Sequence, residues 1–210
     1  MPVSPVLSMT ELPHLPSIIA NTKFDEKGFV QSEQGLLVPA YVASAKGFSE
    51  EGMVWLNWFY SQLMDRKVFA LCPFAACAEY LDFTKINSST PQDEVFAFWD
   101  SFNKIVGPVN YKTLMPRSKL LVAILEGVPL DEGVCAEISY FAPKYGPVIG
   151  IRTDFRPAEN IAAPINPAVR YFIDQGPYKG KLYLGNNAYM DAFEGIEKLA
   201  SEMIAGSVKK

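Results

Sequence analysis

The chain has 210 residues, of which 49% are apolar and 20% charged, with a formal net charge of −4. That length suits one α/β domain able to bury about 70% of its unfolded surface. The mild acidity, with no basic stripe interleaved with aromatics, argues against a nucleic-acid polymer as partner. Three cysteines (Cys72, Cys77, Cys135) in no CxxC pair and a lone His14 make neither a disulfide framework nor a zinc set. No apolar run reaches the ~18 residues of a membrane span. The opening MPVSPVLSMTELPHLP has no basic region ahead of an apolar core, so a secretory leader is not expected and a reducing cytoplasm is.

Residues 1–35 hold four prolines among scattered polar residues and read as an irregular N-terminal extension. Residues 36–210 read as a single domain without repeat or linker. Its first core strand is Gly35 to Ala43, followed by the loop Ser44 to Phe48. Ser49 is placed to cap the next helix, with Glu50 and Glu51 in the first turn; Met53, Leu56, Phe59, Tyr60 and Leu63 form its buried face. Val68 to Phe74 is the second strand and Ala75 to Thr84 a short helix. Thr90-Pro91-Gln92-Asp93 is a start signal, with the threonine as cap and the proline at the first helical position. The helix it opens runs through Phe96, Phe98, Trp99, Phe102 and Ile105 and stops near Gly107-Pro108. Asn110 to Met115 is a further helical turn.

The central unit follows. Lys119 to Leu125 is a near-continuous apolar run of the kind buried on both faces of a parallel sheet. Glu126 to Gly133 is an acidic, turn-rich connection, Val134 to Ala142 has helical spacing, and Pro147 to Ile151 is a second apolar run. A βαβ unit closes right-handed and sets its first loop at the carboxyl edge of the sheet, where open α/β sheets bind ligands. Asn166 then opens a helix through Val169, Tyr171, Phe172 and Ile173, Lys181 to Leu184 is a last short strand, and Asn187 to Ile204 is an amphipathic helix with Met190, Phe193, Ile196, Ala200 and Met203 on one face. Trp55, Trp58 and Trp99 lie on helices among apolar neighbours and are expected in the core.

Asp131, Glu132 and Glu137 have a plain reading as acids favoured near a helix amino terminus. Glu137 departs from it. The residue lies six positions after Asp131, past the first turn, among Val134, Cys135, Ala136 and Ile138, so its carboxylate is expected to be partly desolvated. Burial without a nearby basic partner raises a carboxyl pKa and marks a candidate functional group. Cys135 has no histidine near it and reads as packing rather than as a nucleophile.

The segment Glu126-Gly127-Val128-Pro129-Leu130-Asp131-Glu132-Gly133-Val134-Cys135-Ala136-Glu137-Ile138 resembles the signature of nucleoside 2-deoxyribosyltransferases, in which an acid, a glycine and a glutamate follow at this spacing. Gly146 to Arg156 is similar to that family's next strand and its polar ending. Tyr41-Val42-Ala43-Ser44-Ala45, with Phe48 beyond it, resembles the family's opening strand, and Asn166 falls where the family has an asparagine after the fourth strand. The resemblance covers about residues 36 to 175. It implies a flavodoxin-like (Rossmann-like) five-stranded parallel sheet flanked by helices. It also implies transfer of a 2-deoxyribosyl group between nucleobases through a covalent glycosyl-glutamate, with no metal or organic cofactor.

Carried over position by position, Glu137 would be the nucleophile, Asp131 would hydrogen-bond and help protonate the leaving base, and Tyr41 would hold the nucleophile through its hydroxyl. Asn110 would contact the base, Phe48 and Gly133 would line the substrate site, and Asn166 would contact the sugar, often across a subunit boundary. The partners implied are a deoxynucleoside, a free nucleobase and further copies of the chain in a homo-oligomer. Val134 and Cys135, the loop Ser44-Ala45-Lys46-Gly47 and Ala168 depart from the family's pattern, which bears on the choice of substrate. Two other readings stand beside this one: a hydrolase of the same bond in nucleosides or their 5′-phosphates, and a non-catalytic nucleoside-binding protein on the same fold. A phosphate-preferring hydrolase would want a glycine- and arginine-rich first loop, whereas Lys46 and Gly47 are followed here by Glu50 and Glu51.

Overall fold

The computed structural model describes residues 12, 14–82, 85–156 and 163–206. A six-stranded mixed sheet, mostly parallel, lies between two layers of helices in a Rossmann-like α/β arrangement. The strands are β1 (Val30–Ser32), β2 (Gly35–Ala43), β3 (Val68–Leu71), β4 (Leu120–Ile124), β5 (Val148–Arg152) and β6 (Lys181–Leu184). The parallel strands run in the order β3-β2-β4-β5-β6. The direction of winding therefore reverses between β2 and β4, and a crevice opens at the carboxyl ends of those two strands.

The expected five-stranded, all-parallel sheet needs correcting, because β1 is a sixth strand, paired antiparallel with the start of β2. It comes from the segment read as irregular. Three residues, Val30-Gln31-Ser32, are too short for alternation to show, and a two-residue hairpin turn at Glu33-Gln34 supplies the pairing. Upstream, the short helix α1 (Ser17–Ala20) buries Ile19, and its Ser17 N–H donates to both oxygens of Glu79, at 3.0 and 2.7 Å.

Alternation along the strands builds two cores. Val38, Ala40 and Val42 of β2, with Leu120, Val122 and Ile124 of β4, face α2 (Glu50–Met64) and α7 (Ala188–Ile204). Tyr41, Ala43, Leu121 and Ala123 face the other way, toward α3 (Pro73–Ala78), α5 (Glu132–Phe141) and α6 (Pro167–Asp174). Every residue of β4 is buried, as expected of a strand covered on both sides.

Several local expectations shift. The second strand ends at Leu71, because Pro73 starts α3 at its first position, where a missing N–H costs nothing. Thr90 does not cap the long helix α4 (Gln92–Gly107); its hydroxyl accepts from Asn87 N–H at 2.9 Å and donates to Lys85 O at 3.1 Å. Nor does the chain break at Gly107-Pro108. It continues into a wider π-helical stretch, Pro108–Leu114, where the proline has no N–H to keep the α-helical register. Trp58 and Trp99 are 46% and 44% exposed, not core, and Met190 is exposed on α7. On α2 the stripe Leu56, Phe59, Leu63 takes the buried face, and Trp58 is turned away by its helical position.

Gly146, just before β5, has its Cα hydrogens against the Lys119 carbonyl. A Cβ there would lie 2.2 Å from that oxygen. Gly146→Ala is expected to destabilise the fold by about 2 kcal/mol, read as a lower denaturation midpoint at unchanged slope. Gly107→Ala, where a Cβ meets nothing within 4 Å, should be neutral or better.

Candidate active site

Four elements meet at the crevice. Asp131 is the N-cap of α5, and one of its carboxylate oxygens accepts from Val134 N–H at 2.8 Å. Gly133 keeps the first turn clear, since a Cβ there would approach that same oxygen to 3.0 Å. One and a half turns on, Glu137 projects from α5 toward the sheet. The Tyr41 hydroxyl, fully buried on β2, donates to Glu137 Oε1 at 2.5 Å. The Asn110 side-chain amide donates to the same oxygen at 3.3 Å. The π-helical widening turns Asn110 inward, to 5% exposure, and leaves its Oδ1 without a partner among the described residues.

Asp131, Gly133, Glu137 and Asn110 line a cavity of about 540 Å³, with Tyr41 buried behind Glu137. Its walls are largely apolar, with Met53, Phe74, Trp99, Phe102 and Val106 around Phe48, whose ring meets Phe74 edge-to-face at 5.1 Å. Gly47 makes that pairing possible, because a Cβ there would lie 2.2 Å from the Phe74 ring. Among the described residues no Lys, Arg or His lines the cavity. Glu137 is open to solvent on its cavity face and crowded by protein elsewhere. Burial pushes its carboxyl from the ordinary 4.5 up to about 7; the charge of Asp131 adds to this, while the bonds from Tyr41 and Asn110 hold it back. Burial, reinforced by the Glu137 charge, holds the Tyr41 phenol well above its usual range, so it remains a donor.

The loop that carries Asp131 is anchored from beneath. Glu126 accepts from Thr153 N–H and hydroxyl, both at 2.8 Å, from Asp154 N–H at 2.9 Å and from the Tyr189 hydroxyl at 3.2 Å. Arg152, 1% exposed at the end of β5, donates to the carbonyls of Leu125, Gly127 and Arg156. Asp154 accepts from Gly127 N–H at 3.2 Å and pairs with Arg156, which holds its carboxyl well below the usual carboxylate range.

Of the residues singled out from sequence, the fold brings Glu137, Asp131, Asn110, Phe48 and Gly133 to one cavity, and Tyr41 touches Glu137 from the core side without lining it. Asn166 does not line it; its side-chain oxygen caps α6, accepting from Ala168 N–H at 2.8 Å. Phe74, Phe102, Ser44 and Tyr111 also line the cavity and were not anticipated. For Phe102 and Trp99 the available signal is the aromatic stripe of α4, of which only Trp99 is expected in the core from sequence. Among the described residues no three His, Cys, Asp or Glu side chains gather as a metal set, and no helix is long and apolar enough to cross a membrane.

Because the folded pKa of Glu137 is raised, the fold favours its protonated form. Its stabilising share is complete below pH 4.5 and is lost as pH rises to about 7. Wild-type stability should therefore fall by roughly 2 kcal/mol across that window, allowing for solvent at the cavity face. Glu137→Gln should lose this slope and be the more stable form above pH 7, as measured by denaturant titration at stepped pH.

No family model matches the chain, and no curated protein matches it. Among solved structures it is similar to a conserved protein from Enterococcus faecalis V583, at 19% identity and a TM-score of 0.49, over 78% of this chain and 99% of that one.

Proposed function

We propose that the protein is a nucleoside deoxyribosyltransferase on a flavodoxin-like fold. The observation that carries this reading is a carboxylate desolvated inside an apolar cavity yet held ready by two donors: Glu137 with Tyr41 and Asn110. Ionised Glu137 attacks the anomeric carbon of a 2-deoxyribonucleoside. The bond to the base breaks as the base takes a proton, Asp131 helping to deliver it, and a glycosyl-glutamate ester forms. A second nucleobase attacks the same carbon from the vacated side and gives up its N–H proton toward Asp131 and solvent, releasing Glu137 as the carboxylate and giving a new nucleoside with retained configuration. Two inversions at one carbon require only one positioned carboxylate and a second polar group at the base, which is what the cavity offers.

A cavity lining without a cation among the described residues supports a nucleoside over a nucleotide. A 5′-phosphate there would face Asp131 and Glu137 with nothing to offset its charge. Hydrolysis in place of transfer would need water at the ester, and the walls of Phe48, Phe74, Trp99 and Phe102 disfavour it. A purely binding role does not call for a desolvated carboxylate, and burying one costs free energy that its two donors only partly offset. The reading extends to a homo-oligomer: Phe48 and Trp99, 69% and 44% exposed where they line the cavity, offer a second copy an apolar surface. Asn166 would reach the sugar in a neighbouring subunit's site. The free thiols Cys72, Cys77 and Cys135 suit a reducing cytoplasm.

Incubation with 2′-deoxyinosine and adenine should yield 2′-deoxyadenosine, and Glu137→Ala should lower turnover by about 10³-fold or more. Free hypoxanthine without a new nucleoside would favour the hydrolase; retained binding with no turnover by the wild type would favour the binder.

The nucleophile must be ionised, so kcat/KM for the transfer should climb as pH rises through about 7. A hydrogen bond to the charged form stabilises it. Tyr41→Phe should therefore move this limb to higher pH as well as lower the plateau; an unmoved limb would count against Tyr41 as the group that holds the nucleophile.

A further inference from the structure

A second concavity, of about 590 Å³, lies at the opposite edge of the sheet. Arg117 and Lys119 enter it from the turn before β4, Lys144 and Tyr145 from the turn before β5, Tyr178 from the segment before β6, and Lys27 from the extension ahead of β1. Four cations thus face one acid, Glu26, on a chain whose net charge is −4. Among the described residues none of the four cations takes part in an ion pair. Arg117 and Lys119 are half-buried, and partly desolvated cations without a counter-charge are costly unless something supplies one.

The cations are also held in place. Arg117 Nη1 donates to Thr113 O at 2.9 Å, leaving the rest of its planar fork open. Lys119 Nζ sits 4.7 Å from the Phe29 ring centre, across Gly28, whose φ of +79° lets the chain turn beneath it. Lys144 Nζ lies 3.4 Å from the Tyr140 ring centre, and the Tyr178 hydroxyl donates to Lys144 O at 3.3 Å. A fork-shaped donor matches a carboxylate or a phosphate alike, and four cations around one concavity favour the more highly charged phosphate. The half-buried rings of Tyr145 and Tyr178 add a wall for a planar group. The concavity is compact rather than a stripe, which suits a small ligand and not a polymer.

We propose that this edge binds a nucleotide-sized phosphate ester, at a site separate from the Glu137 cavity and independent of the reading given to it. The test is isothermal titration of the full chain with adenosine 5′-diphosphate, inorganic pyrophosphate and adenosine. The diphosphate should saturate one site, pyrophosphate should bind more weakly and adenosine should not bind there. Arg117→Gln with Lys119→Gln should weaken the diphosphate at least about tenfold, and Glu137→Gln should leave it unchanged. Lys144→Gln alone, at an exposed position that the fold tolerates, should weaken it several-fold and secures the result if the double variant folds poorly. Equal affinity for pyrophosphate would assign the site to free phosphate instead. Lack of saturation, insensitivity to all three substitutions, or tighter binding of poly-glutamate than of the diphosphate would overturn the proposal.

Discussion

The hydrogen bond from Tyr41 to Glu137 joins the sheet to α5 inside the core, and the rest of the site depends on it. A fully buried phenol needs an acceptor and a buried carboxylate needs donors, so each meets the other's requirement. Neither would be tolerable alone at that depth. The contact spans 96 positions of sequence and becomes possible because β2 and β4 are adjacent at the point where the winding reverses. Asn110 closes the arrangement from a third direction, and the widened helical turn at Pro108 is what carries it there.

Around this polar centre the cavity is apolar, and that contrast sets its chemistry. Few polar groups converge on a space with aromatic walls, which is how small-molecule sites combine affinity with orientation. The same walls keep the dielectric low, so the charge of Asp131 is felt at Glu137 and the balance of ionised and neutral carboxyl falls near neutrality. Beneath the site, Glu126 and Arg152 bind the loop mostly through backbone groups. The position of Asp131 is thereby fixed by the ends of β4 and β5 and not by its own side chain alone.

Much of this was legible in the sequence. The apolar runs of β2, β4 and β5 and the spacing of Asp131, Gly133 and Glu137 locate the crevice and its acids, because periodicity and cap residues are local signals. The parts that were missed are set by tertiary context. β1 is three residues long and exists only because β2 offers an edge. Trp99 and Phe102 have the composition of a core stripe, and only the packing of α4 reveals that they wall a cavity open to solvent. Thr90 looked like a cap, yet a closer pair of backbone groups claimed its hydroxyl. Asn166 was assigned to the sugar, and in one subunit it serves as the cap of α6.

In the proposed reaction the choice between a nucleobase and water as second substrate becomes a question about the aromatic mouth. A covalent ester at Glu137 would sit at the polar end of the cavity, while the departing base vacates the apolar end between Phe48, Phe74 and Trp99. Water gains little in that space because few partners there can satisfy its hydrogen bonds. A planar base, by contrast, recovers ring contacts on entering and brings a nitrogen to the anomeric carbon. Phe48 and Trp99 are each partly exposed, so the mouth excludes water fully only when something covers them. In the proposed transfer, a second copy of the chain would supply that covering, which would tie the outcome of the chemistry to assembly.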